Sequence, residues 1–168
     1  VSVGEQRFGL RLPGDVTIAD MREAVRIAHG KGAKLYAVCN NIMHNDILPE
    51  LPGYLRRLSE CGVDAVVFGD PAVLIAMREA EVRLPLHWNA EMTSTNYASA
   101  NYWASKGAVR VVLARELNMD EVIEIKRNVS IAVEVQVHGM TNIYHSKRAL
   151  LTNYFRHVGA SAESVGTG

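Results

Sequence analysis

The residues of this sequence that are equipped for chemistry lie just past its apolar runs. They are Glu5 and Gln6; Asn40, Asn41 and His44; Asp70; Asn89 and Glu91; Arg115 and Glu116; and His138. Arg115 directly follows the run Val109–Ala114, which aims its guanidinium at the end of a strand. A fork of N–H donors in that place suits a carboxylate or a phosphate. Asn40, Asn41, His44, Asp70 and Glu91 complete a substrate-binding set around it, although Glu91 can equally neutralise the arginine. His138, followed by Gly139, is the candidate general acid or base, with a hydrogen-bonded structural histidine as the alternative. Asp70 before Pro71 also reads as a helix opening, and the two asparagines as turn formers. Glu116 has the plainer reading of a solvated ion pair.

Other chemistries find no pattern. None of the six histidines sits in H-E-x-x-H or a comparable ligand pair, so no metal site is expected. The two cysteines, Cys39 and Cys61, build neither a disulfide framework nor a four-thiolate centre. Cys39 ends a strand and is expected to approach the pocket; Cys61 reads as a small buried apolar residue. No G-x-S-x-G elbow occurs. Eighteen basic side chains balance eighteen acidic ones, so the basic excess of an autonomous nucleic-acid binder is missing. No apolar run approaches the ~20 residues of a membrane span. The expectation is a cytoplasmic protein.

These side chains need strands and helices to gather them. The strand-like runs are Val1–Val3, Leu35–Val38, Ala65–Phe68, Leu86–Trp88, Val109–Ala114 and Ile131–Val137. Helix signals fill the gaps. Thr17 precedes the stripe Ile18, Met21, Val25 and Ala28; Pro52 can take N1 of a helix ending at Gly62; Asp70-Pro71 opens one running to about Ala80. Thr95 or Asn96 opens a fourth, stopped near Gly107, and Asn118 with Glu121 resembles a capping box. No convincing helix follows the sixth run. Alternation of this kind predicts parallel βαβ units. A closed (β/α) barrel has eight strands and typically ~250 residues, so about six strands imply an incomplete TIM-barrel-like domain over 1–158, with a disordered tail over 159–168. The open, doubly wound sheet is the alternative, but no G-x-G-x-x-G follows a strand. Exposed sheet edges would be covered by a partner, by a second copy of the chain or by the chain termini.

Several segments, taken in order, resemble peptidase family U32, the collagenase-like proteases whose barrel is shared with bacterial RNA-hydroxylation proteins. They are Thr17–Leu35, Asn40–Asn45, Cys61–Pro71, Leu84–His87, Val111–Leu117 and Glu134–Gly139. The resemblance implies that Glu134 and His138, the ends of an E-x-x-x-H-G signature, are catalytic. Asn142 and Ala149 stand where the family's cluster-ligating cysteines are expected, so no iron–sulfur cofactor is implied for this chain. The cysteine-poor branch is similar to the smaller member of a pair associated with hydroxylating the wobble uridine of transfer RNA. A cysteine-bearing paralogue, and transfer RNA through that complex, are the implied partners. Peptide hydrolysis and a non-catalytic supporting role are the alternatives.

Overall fold

The computed structural model describes residues 1–10, 12, 14–90, 93–139 and 150–159, with the backbone alone at 150–152. The chain divides into two compact units, Val1–Val137 and His138–Gly168. The first carries β1 (Ser2–Val3), α1 (Ile18–Gly30), β2 (Tyr36–Cys39), α2 (Leu51–Cys61), β3 (Ala65–Phe68), α3 (Ala72–Glu79), β4 (Leu86–Trp88), α4 (Tyr97–Ser105), β5 (Ala108–Val112), α5 (Met119–Asn128) and β6 (Ala132–Glu134). The second contains α6, Leu150–His157. That helix corrects the expectation that nothing helical follows the sixth strand: Gly159, at φ 72°, closes it two residues beyond His157, and Tyr154 and Phe155 bring their rings to 5.6 Å.

All six strands pair in parallel, and their order in the sheet is their order in sequence. A doubly wound sheet reverses direction at a switch point; this one never does. The structure is therefore an incomplete, TIM-barrel-like half-barrel. Successive helices pack on one another, α1 against α2, α2 against α3 and α4 against α5. Ala37, Cys39, Val66, Phe68, Leu86, Trp88, Ala108 and Val111 belong to the core that includes the helices' buried residues. The alternate residues, Tyr36, Val38, Val67, His87, Arg110, Val112 and Glu134, point to the opposite, inner face.

One irregularity matters for that face. The β4–β5 ladder pairs Leu86 with Ala108 but His87 with Arg110, so Val109 is an extra residue. The bulge turns Arg110, rather than Val109, to the side of His87.

The helix boundaries follow local chemistry. Asn118 and Glu121 form the reciprocal capping box, with bonds of 3.1 and 2.8 Å. Asn96 caps α4 through Ser99 N at 2.8 Å. Gly62 ends α2 at φ 84°, a conformation that carries no penalty without a Cβ. Thr17 is the N-cap of α1 by backbone geometry, yet its hydroxyl bonds Asp20 Oδ2, and the Ile18 N–H donates to Glu5 Oε1 at 2.6 Å.

Candidate functional site

At the C-terminal rim of the strands, three of the six expected binding residues, Asn40, Asn41 and Asp70, hold loops. Asn40 Oδ1 accepts from Leu10 N at 2.9 Å, and Asn41 Nδ2 donates to Arg7 O at 3.2 Å. Together they fasten the segment after β1 over the sheet. Both asparagines are buried, and Asn41 Oδ1 has no partner among the described residues. Asp70 uses both carboxylate oxygens: Oδ1 accepts from Ala72 N at 2.9 Å and Oδ2 from Met43 N at 3.0 Å. It opens α3 and ties that opening to the loop beyond β2. Between them the backbone at Gly69 is so tight that a Cβ would meet Asn40 O and Asn89 O, each at 3.0 Å.

His44 stands exposed in the same loop, and Arg115, half-buried, lies three residues past β5. Ser94, fully buried with an Oγ that has no partner among the described residues, takes the Ala114 N–H on its carbonyl at 3.1 Å. Glu91, Asn142 and Ala149 lie outside the described residues. His138 is an exposed residue of the second unit. Cys39 does not approach the inner face, contrary to expectation. Strand alternation sends it into the helical core, where it is fully buried and burial pushes its thiol pKa far up. That side chain is no nucleophile.

The inner face carries a second polar group. Arg110 Nη1 donates to Glu134 Oε2 at 2.7 Å, and the guanidinium lies over the Tyr36 ring, 5.8 Å from its centroid. Tyr36 meets His87 edge-on, with ring centroids 4.6 Å apart. His87 is buried; that burial, reinforced by the positive charge of Arg110, lowers its pKa to about 4. The imidazole is therefore neutral at pH 7, a donor on one nitrogen and an acceptor on the other. Arg110 Nε is buried without a partner among the described residues. Four strands thus contribute one constellation: a phenol, a neutral imidazole, a guanidinium and a carboxylate. It can bind a polar ligand and move a proton.

The comparisons fit this fold. The model of peptidase family U32 matches residues 1–164. The chain belongs to that family. tRNA hydroxylation protein P2 of Bacillus subtilis is 57% identical over 157 residues, covering 94% of this chain and 51% of that protein. tRNA hydroxylation protein P of Escherichia coli is 31% identical over 156 residues, 92% of this chain and 34% of that protein. A solved U32 peptidase superposes with TM-score 0.67 at 23% identity, covering 99% of this chain and 70% of that one. The chain thus spans about half the length of the first relative and about a third of the second.

Within this U32 chain, Glu134 of the E-x-x-x-H-G signature is half-exposed and engaged by Arg110 rather than free. Sequence reasoning found Glu134 but missed Tyr36, His87 and Arg110. All three sit inside apolar runs, and mid-strand polar residues in a parallel sheet are the signal that marks them. Among the described residues no group of three or more His, Cys, Asp or Glu side chains is arranged to hold a metal ion.

Proposed function

We propose that this chain belongs to a transfer-RNA hydroxylation protein acting on the wobble uridine, and that it provides the barrel scaffold and part of the substrate site. The observation that carries the reading is the 57% identity to the Bacillus subtilis protein over 94% of the chain. The retained Glu134-x-x-x-His138-Gly139 signature supports it. In this reading His138 and Glu134 serve the chemistry, and Arg115, Asn40, Asn41, His44, Asp70 and Glu91 line the rim.

An iron–sulfur cluster does not fit the residues of this chain. Cys39 is sealed in the helical core, Cys61 ends α2 with its Sγ turned to Ile18 O at 4.0 Å, and Asn142 and Ala149 offer no thiolate. In our reading a cysteine-bearing paralogue supplies any such cluster, and RNA is met through that complex. No helix among the described residues is long and apolar enough to cross a membrane. The peptidase reading rests on the family name, and the burial of Cys39 removes one nucleophile from it.

Mass spectrometry of transfer-RNA nucleosides tests the proposal. A strain lacking the gene is expected to lose 5-hydroxyuridine-derived wobble nucleosides, and the full-length gene to restore them. Unchanged nucleosides in the deletion strain, with no paralogue left to substitute, would overturn it.

A further inference from the structure

Both tryptophans of the chain stand in one line of ring contacts that runs from the sheet to the outer surface. Trp88 ends β4, at the rim of the strands, and is 3% exposed. Its ring centroid lies 5.8 Å from that of Trp103 in α4, with an interplanar angle of 35°. Trp103, half-buried, meets Tyr102 edge-on at 5.2 Å, and Tyr102 is 56% exposed. These separations are those of rings in direct contact. Phe68 also packs on Trp103, at 5.3 Å, but its benzene ring gives up an electron far less readily than an indole or a phenol and serves as a wall. Packing alone does not account for the outer end, where Lys106 Nζ lies 5.4 Å from the centroid of the exposed Tyr102 ring.

We propose that Trp88, Trp103 and Tyr102 form an electron-transfer path that carries a one-electron oxidation from the rim of the half-barrel to its outer surface and so spares the fold from oxygen-centred radicals. Electron transfer weakens steeply with distance, so rings in contact exchange an electron before an indole radical is destroyed. The radical takes one electron from the Trp88 indole and becomes an anion. Trp103 returns that electron to Trp88, and Tyr102 returns one to Trp103. The cation over its ring opposes positive charge on Tyr102, so the phenol gives its proton to water as the electron leaves. That proton balances the one the reduced oxidant takes up. The phenoxyl radical left on Tyr102 then takes a hydrogen atom from a dissolved reductant such as ascorbate, which leaves as the ascorbyl radical. The direction follows from chemistry: a tyrosine free to release its proton is easier to oxidise at neutral pH than a tryptophan. The path does not depend on which macromolecule the protein modifies.

Laser flash photolysis of the full-length protein tests it. A near-ultraviolet pulse ejects an electron from indole, and hexaamminecobalt(III) captures it. The tryptophan-radical absorption is expected to decay as phenoxyl absorption rises, at a rate independent of protein concentration. Tyr102→Phe keeps the ring and removes only the phenolic proton; it should slow that decay at least tenfold and raise the oxidised fraction of Trp88, read by peptide mass spectrometry, several-fold. Trp103→Phe should raise the same fraction by leaving Trp88 isolated. No phenoxyl rise in the wild type overturns the proposal, as does a decay in Tyr102→Phe as fast as in the wild type. Should Trp103→Phe fail to fold, Tyr102→Phe decides, because its substitution lies at an exposed hydroxyl.

Discussion

Arg110 and Glu134 meet at 2.7 Å across the regular ladder of β5 and β6, and the slip at Leu86/His87 is what brings this pair to the face of His87. Their charges act on His87 in opposite senses: Arg110 lowers its pKa and Glu134 raises it. Neutralising them one at a time therefore moves His87 in opposite directions. Arg110→Gln should raise the His87 pKa, and Glu134→Gln should lower it below its present value of about 4. NMR titration of the imidazole reads both. Shifts of the same sign would show that the two groups do not flank His87. The pair is partly solvent-exposed, so Glu134→Gln should cost only ~0–1 kcal/mol of stability.

The same histidine makes stability depend on pH. In the unfolded chain its pKa returns to about 6.5; in the fold it is about 4. Between these values the unfolded state binds more protons, so stability falls as pH drops from about 6.5 toward 4 and is flat for this group above that window. The loss amounts to about 3 kcal/mol at most, from a shift of this size at ~1.4 kcal/mol per unit. Urea unfolding at pH 7 and pH 5 measures it. His87→Leu should flatten the slope over that window, and an unchanged slope would assign it to other groups.

Gly69 carries a steric demand. Its own φ lies outside the left-handed region, so the constraint is contact alone: a Cβ would press on Asn40 O and Asn89 O at 3.0 Å. Both atoms belong to backbone at strand ends and have little room to yield. Gly69→Ala should destabilise the protein by about 1–3 kcal/mol, the usual range for overpacking. It should also disturb the loops after β2 and β4 before the helices. Hydrogen exchange localised to those loops is the check.

The architecture was open to reading because its signals are local. Asn118 with Glu121, Pro52 before Gly62, and Asn96 before Gly107 each act within a few residues, and all three mark helix boundaries in the fold. Alternation of apolar runs with capped helices then leads to parallel strands. The inner-face group was not legible for the opposite reason. It depends on a bulge between two strands, and a bulge is a property of their pairing rather than of either sequence. By simple alternation from Ala108, Arg110 would face the helices. Cys39 was misplaced in the same way: position at a strand end shows nearness to the rim but not which face the side chain takes.

Asp70 separates a structural from a substrate-binding role. Both its oxygens accept backbone N–H groups, from Ala72 at 2.9 Å and Met43 at 3.0 Å. A carboxylate so engaged joins the loop after β2 to the start of α3, and each bond satisfies an N–H beside half-buried surroundings. Asp70→Ala should therefore cost about 1–3 kcal/mol, combining a lost cap with a lost loop tie. Asp70→Asn keeps one oxygen acceptor and presents an NH₂ group where the other stood. Because a backbone N–H cannot accept from that NH₂, only one of the two bonds survives, and the variant should recover roughly half of the loss. Chemical denaturation of the three proteins gives the order wild type, Asn, Ala. A substrate ligand would leave stability nearly unchanged and weaken RNA modification in both variants alike. Full stability in Asp70→Ala would thus remove Asp70 from the scaffold and return it to the binding site.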